Sequence, residues 1–150
     1  MRNLIQGLLV LLMFGCSHHK EIGAVTFEEI GAEFLTGAGE EGIQKENFVI
    51  QDKKSWNELL VKMNRINHIS DSITEHEIDF SKNTLIAVFD KVKSTGGYEL
   101  DLKITRTTEN LVVTIMNTIP EGMATMVMTQ PFYIVKIPKT QEVIVFNIKK

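Results

Sequence analysis

"TLIAVFDKVKSTGGYELDLKI", residues 84–104, holds two different strand patterns on either side of a glycine pair. The first residues form a continuous apolar run, which is typical of a strand buried on both faces. Later residues alternate between apolar and polar, which predicts a strand with Tyr98, Leu100, Leu102 and Ile104 facing the core. Gly96 and Gly97 allow the backbone angles of a two-residue turn, so the segment predicts a hairpin.

Further strand patterns lie on both sides of this segment. They cover residues 24–35, 47–51, 111–116, 131–138 and 142–148. Short polar connections at residues 108–110 and 139–141 are typical of hairpin turns. Strands and helices do not alternate along the chain, which favours antiparallel pairing.

One stretch has the spacing of an amphipathic helix. Its apolar residues, which fall on one face, are Trp56, Leu59, Leu60, Met63 and Ile66. Ser55 and Glu58 have the spacing of a capping box at its start. We expect Trp56 to anchor the helix on the sheet, with a ligand platform as the alternative. The sequence thus predicts an α+β fold, a mainly antiparallel curved sheet of about six or seven strands with one packed amphipathic helix.

Composition places the chain among single-domain globular proteins. It has 150 residues, 43% of them hydrophobic, and a formal net charge of −3. No basic stripe or nucleic-acid motif is present, so we expect no nucleic-acid partner. The glycine-rich residues 36–42 lack the Lys-Ser/Thr ending of a phosphate loop, and His18 and His19 have the setting of a solvated linker. We therefore expect no cofactor and no metal.

The N-terminus has the pattern of a bacterial lipoprotein signal. Arg2 precedes a short apolar run, and Gly15 then precedes Cys16, the single cysteine of the chain. The predicted segments are a lipoprotein signal peptide at 1–15, a lipid-anchored tether at 16–23 and one domain at 24–150. We expect Cys16 to be lipidated and the protein to be anchored in the bacterial cell envelope, at the outer membrane or cell surface rather than the inner membrane. The alternative is an ordinary signal peptide with an unmodified Cys16.

Catalytic residues are not evident in the sequence. The four histidines fall in the tether and in a polar connector around residues 67–82, away from strand ends. Ser94 and Thr95 have no histidine near them in sequence, although distant residues can converge. We expect a protein that is not an enzyme.

Two loops are predicted to meet at one end of the sheet. If strand directions alternate, the turn at residues 94–97 and the loop at residues 117–130 share an end. Methionines adapt to varied surfaces, which suits a protein-binding site. The candidate partner-binding residues are Thr95, Gly96, Gly97, Tyr98, Met123, Met126, Met128, Gln130, Pro131 and Phe132. The alternative is that the methionines fill the open end of the sheet.

The segments "STGGYELDL" and "TQPFYIVKIPK" resemble the C-terminal domain of the PrcB family, whose members are named as protease-complex subunits. "KSWNELL" and "IDFSKNTLIAVF" add to the likeness, which covers residues 48–146. The resemblance implies that residues 24–150 are a single PrcB-like α+β domain, without a cofactor or enzymatic residues. It implies a non-catalytic cell-envelope lipoprotein that binds or stabilises a partner protein, as a subunit of a surface protease complex.

A fainter resemblance is to the chagasin-type inhibitors of cysteine proteases. It rests on Thr95–Tyr98 and Gln130–Phe132, which are similar to two inhibitory loops of that family. It implies protease inhibition as the alternative function. The family's asparagine-proline start, arginine and middle glycine-rich loop are missing here.

Overall fold

The computed structural model describes residues 20–122 and 124–149. These contain eight strands, one α-helix and a short 3-10 helix at Ile69–Ser72. The strands are β1 (Glu21–Ala24), β2 (Glu28–Leu35), β3 (Glu46–Ile50), β4 (Asn83–Phe89), β5 (Glu99–Thr107), β6 (Asn110–Thr118), β7 (Gln130–Pro138) and β8 (Val143–Lys149). The helix, α1, spans Lys53–Met63 between β3 and β4.

The strands form two four-stranded sheets. The outer sheet has the order β1-β5-β6-β8, and the central sheet has the order β2-β7-β4-β3. Neighbouring strands are antiparallel except for β6 and β8, which are parallel. The α+β class with antiparallel strands and one packed helix is confirmed. The strand count is higher than expected, and the strands divide between two sheets.

The core has two layers because the central sheet is covered on both faces. Ile86, Val88 and Val135 face the outer sheet, where they pack against apolar residues of β5 and β6. Leu85 and Ile134 face the opposite way and pack with α1 and the connector that follows it. The prediction that the continuous apolar run of β4 is buried on both faces is therefore confirmed, since neither face of this strand meets solvent.

The N-cap of the helix lies three residues before the predicted one. Asp52 is the N-cap residue, and its carboxylate accepts hydrogen bonds from the backbone N–H and the hydroxyl of Ser55, at 2.8 and 2.9 Å. Ser55 therefore lies inside the first turn, and the predicted capping box of Ser55 with Glu58 is wrong. Trp56 is buried as expected, whereas Ile66 lies beyond the helix and is exposed.

Three predictions about strands and their connections are wrong. Residues 24–35 do not form one strand, because β1 belongs to the outer sheet and β2 to the central sheet. β1 also includes residues 21–23, which the sequence pattern places in the tether. Likewise β4 and β5 are not a hairpin, since they lie in different sheets and the chain crosses between the sheets at residues 90–98. The hairpin predicted at residues 139–141 is also wrong, because β7 lies in the central sheet and β8 in the outer sheet, where β8 pairs with β6. Each sheet buries one apolar face against the other, so the crossing lets both strands contribute to one core.

Candidate partner-binding site

Two loops lie against each other at one end of the two packed sheets. We call residues 91–98 the crossover loop and residues 119–129 the methionine loop. Lys93 and Thr129 form a β-bridge with N–H···O distances of 2.7 and 3.1 Å. The Gly96 N–H donates to the Thr125 carbonyl at 3.0 Å, and the Thr129 hydroxyl donates to the Thr95 carbonyl at 2.9 Å. The two loops are therefore hydrogen-bonded into one unit.

The paired glycines permit this close approach. Gly97 has φ +84°, and a Cβ added to it would lie 2.8 Å from Cβ of Pro120. A Cβ on the buried Gly96 would lie 2.3 Å from the Thr125 hydroxyl. Gly97 thus needs glycine for both its backbone conformation and the space available. The reason for the pair is loop-to-loop packing rather than a two-residue hairpin.

A buried ion pair supports the base of the crossover loop. The Asp90 carboxylate is 2.6 Å from the Lys93 ammonium and 3.1 Å from that of Lys45. Burial raises the pKa of Asp90, but hydrogen bonds from Lys93, the Lys91 backbone and Lys45 outweigh it, so the pKa lies below its usual value. The Lys93 ammonium is also 4.7 Å from the centre of the Tyr98 ring. Lys93 thereby links the strand end, the loop and Tyr98.

The methionine loop presents large apolar side chains to solvent. The exposed fractions are 69% for Ile119, 95% for Met126, 48% for Val127 and 47% for Met128. Their backbone neighbours are fixed by the bonds to the crossover loop. The alternative that the methionines fill the open end of the sheet does not hold for Met126 and Met128. Met123 lies outside the described residues.

Three candidate residues are not at the surface. Gln130, Pro131 and Phe132 open β7 and are buried. Phe132 stacks on Phe89 with ring centres 5.8 Å apart, and the Gln130 amide donates to the carbonyls of Ile43 and Asp90. These residues are therefore not part of the exposed surface of the methionine loop, because β7 is an inner strand of the central sheet. The chagasin-type alternative needs Gln130–Phe132 as its second inhibitory loop, and these residues are buried in β7.

The remaining candidates differ in accessibility. Gly97 is exposed, Thr95 and Tyr98 are half-buried, and Gly96 is buried. The sequence reasoning missed Ile119 and Val127, although Val127 lies between two predicted methionines. It also missed Asp90 and Lys93. Their opposite charges, three residues apart directly after an apolar strand, were the sequence pattern that could have indicated this ion pair.

Other predicted features give no site within the described residues. Cys16, His18 and His19 lie outside them. No group of three or more His, Cys, Asp or Glu side chains in residues 20–122 and 124–149 converges as a metal site would. Among the helices in these same ranges, none is long and apolar enough to cross a membrane.

Comparison with known protein families gives a match within the second half of the chain. Residues 84–138 match the model of the family described as PrcB C-terminal. The matched segment runs from β4 to β7 and includes both loops of the candidate site. No curated protein and no solved structure matches the chain.

Proposed function

We propose that this chain is a non-catalytic cell-envelope lipoprotein that binds a partner protein, and the match of residues 84–138 to the PrcB C-terminal model supports this proposal. The partner is a surface or secreted protease, which the chain holds or stabilises as a subunit of the complex. The observation that carries this proposal is the apolar surface of Ile119, Met126, Val127 and Met128 on a hydrogen-bonded loop pair. A cluster of exposed large apolar residues is typical of a protein-binding site.

The loop pair combines adaptable contacts with a fixed base. Methionine side chains are flexible and polarisable, so they fit a partner surface without a rigid match. The backbone beneath them is fixed by the bridge between Lys93 and Thr129, which lowers the entropy lost on binding. Gly97 is exposed in the crossover loop, next to the half-buried Tyr98.

A capture experiment tests this function. The full chain and the double variant Met126→Asp/Met128→Asp are crosslinked in native membranes, and the captured proteins are identified by mass spectrometry. We expect a protease to be captured by the parent and lost with the variant. Val61→Asp is the matched control, because Val61 is 72% exposed on α1, outside the loop pair.

The outcomes separate three possibilities. Loss of the protease with both variants, or capture by all three proteins, would contradict binding through the methionine loop. Absence of any protease from the parent's captured proteins would contradict the role as a complex subunit. Stoichiometric inhibition of a purified papain-like protease by the full chain would favour the inhibitor alternative.

The lipid anchor is a separate part of the proposal. It rests on the pattern of Arg2, the apolar run and Gly15 before Cys16. Two or three acyl chains hold a protein stably at a membrane. Cys16→Ala should abolish labelling by a metabolic fatty acid and release the domain from membranes. Persistent labelling and sedimentation of this variant with membranes would disprove the anchor.

A further inference from the structure

Half of β5 has an open edge. β1 is short and pairs with β5 only at residues 105–107, with one further bond from the Val25 N–H to the Ile104 carbonyl. On its other side β5 pairs with β6 from Glu99 to Arg106. Within the described ranges, residues 99–103 therefore have a strand neighbour on one side only.

The backbone groups at this edge have a known direction. The Ile104 carbonyl faces β1, because it accepts from Val25. Backbone groups of alternate residues in a strand point the same way, so those of Leu102 and Leu100 face the open edge. The Leu102 N–H donates to the Asp101 carboxylate at 2.7 Å. This bond takes the place of one to a neighbouring strand.

A cleft with both polar and apolar lining lies beside this edge, between the two sheets. Its volume is about 700 Å³, and its apolar lining includes Phe34, Tyr98, Leu100, Phe132 and Tyr133. Phe34 is on β2, the edge strand of the central sheet, and is 46% exposed. The cleft exists because β1 ends before it would close the gap between the sheets.

The rim of the cleft is acidic. Glu33, Glu99 and Asp101 line it, and none of them has a basic partner among the described side chains. The Tyr133 hydroxyl donates to Glu29 at 2.6 Å, and burial, this bond and the charge of Asp101 raise its pKa well above the usual value. The Lys93 ammonium, near Tyr98, is paired with Asp90 at 2.6 Å. The lining of the cleft includes three carboxylates and no lysine or arginine, so its charge is negative.

We propose that this cleft binds an extended basic segment of the partner protein, which adds to β5 as a further strand beside Leu100 and Leu102. Strand addition uses the backbone groups of a sheet edge for affinity and alternate side chains for specificity. The Leu102 N–H then exchanges its bond to the Asp101 carboxylate for one to the added strand. The inward side chains of the segment are apolar and fill the space around Phe34 and Leu100. The outward ones are lysine or arginine, beside Glu99 and Asp101. The identity of the segment's parent as a protease rests on the proposed function.

The charge pattern favours a basic partner over a second copy of this chain. In a self-association through this edge, Glu99 and Asp101 of both copies would meet, and like charges across an interface are unfavourable. The open edge is also short, since it covers only residues 99–103 of β5, and the pairing with β1 covers residues 105–107. The occupant is therefore a short peptide-like segment.

The test uses a short fluorescent peptide of alternating lysine and valine, with the full chain in detergent. We expect anisotropy to show saturable binding and Glu99→Lys/Asp101→Lys to weaken it by about tenfold, as the loss of two ion pairs would. Glu46→Lys, which reverses an exposed charge on β3 at the opposite edge of the central sheet, should leave affinity unchanged. A glutamate-valine peptide should not bind.

Backbone pairing has its own readout. Two peptides carry N-methyl groups on opposite alternate residues, so that only one set blocks the edge facing β5. Loss of binding with one peptide only supports strand addition, whereas loss or retention with both overturns it. Amide exchange at Leu100 should slow when the unmodified peptide binds. Unchanged exchange there, or a dimer of the parent that the double variant breaks, would also overturn the proposal.

This result is independent of the protease assignment. If the peptide binds as described and no protease is captured, the cleft proposal stands and the proposed function fails. If a protease is captured equally by the parent and by Glu99→Lys/Asp101→Lys, and no peptide binds, the proposed function stands and the cleft proposal fails.

Discussion

At the residue scale, the glycine pair decides how the two loops of the candidate site meet. Gly97 is the residue whose backbone and surroundings both exclude a side chain, with φ +84° and Pro120 in contact range. Gly96 is buried and bonded to Thr125 of the methionine loop. The glycines therefore act on the site through packing, and the exposed residues next to them supply the contact surface.

Gly97→Ala should lower the free energy of unfolding by about 1–2 kcal/mol, because a Cβ at positive φ is strained. The contact with Pro120 adds to this loss. Gly23→Ala is the control, since nothing lies within 4 Å of its added Cβ. Chemical denaturation of both variants measures the difference. Equal stabilities of the two variants would contradict the role given to Gly97.

Asp90 should make stability depend on acid pH. Its folded-state pKa is lowered, so as pH falls below about 4 the unfolded state binds the proton first. The contribution of Asp90 is therefore present above this pH and is lost as pH falls through the folded-state pKa. Asp90→Asn should cost about 2 kcal/mol at neutral pH, where Lys93 loses its charged partner, and progressively less in acid.

Denaturation of the parent and Asp90→Asn at pH values from neutral to strongly acidic checks this expectation. Asp71→Asn, at an exposed position, serves as the control and should change stability by less than about 0.5 kcal/mol at neutral pH. A difference between parent and Asp90→Asn that is the same at all pH values would show that the carboxylate charge does not contribute.

At the element scale, α1 and β4 show how the number of apolar faces determines the layer in which an element packs. α1 buries Trp56, Leu59 and Met63 against the central sheet, and the Trp56 indole N–H donates to the His76 carbonyl at 3.4 Å. Its opposite face carries the exposed Val61. β4 buries both faces and therefore lies between α1 and the outer sheet.

Trp56→Ala should lower the free energy of unfolding by about 3–5 kcal/mol, as truncation of a large buried aromatic does. The indole is 1% exposed, so its removal leaves a cavity between α1 and the central sheet. Val61→Ala, on the exposed face of the same helix, should cost less than about 0.5 kcal/mol. A loss below about 1 kcal/mol with Trp56→Ala would show that α1 does not anchor on this residue.

At the scale of the whole molecule, three layers give the strands different protection. The central strands β4 and β7 have α1 on one side and the outer sheet on the other. β1 and β8 are the edges of the outer sheet, and five of the seven residues of β8 are exposed. Opening of the edges leaves the core covered, whereas exposure of β4 requires unfolding of both layers.

Native-state hydrogen exchange should therefore be slowest in β4 and β7 and fastest in β1 and β8. The central amides should exchange with the free energy of global unfolding, and the edge amides with a smaller one. Exchange of the full chain, followed by proteolysis and mass spectrometry, resolves these segments. Protection of β8 equal to that of β4 would mean that another surface covers the outer sheet in solution.

The sequence by itself determined the elements with strong patterns. The buried run of β4, the alternation of β5 and the spacing of α1 are predicted correctly, because each depends on contacts between residues close along the chain. The alternation of strand directions also placed the two loops at one end, where their hydrogen bonds are found.

Only the tertiary structure decided which strands pair and which loop residues are exposed. The division into two sheets depends on contacts between residues far apart in sequence, which local patterns do not encode. Phe132 is buried because β7 lies inside the central sheet, whereas Met126 extends into solvent six residues earlier. The open edge of β5 follows from where β1 ends, and its cleft from the distance between two sheets. These features depend on packing between layers, so a single sequence cannot specify them residue by residue.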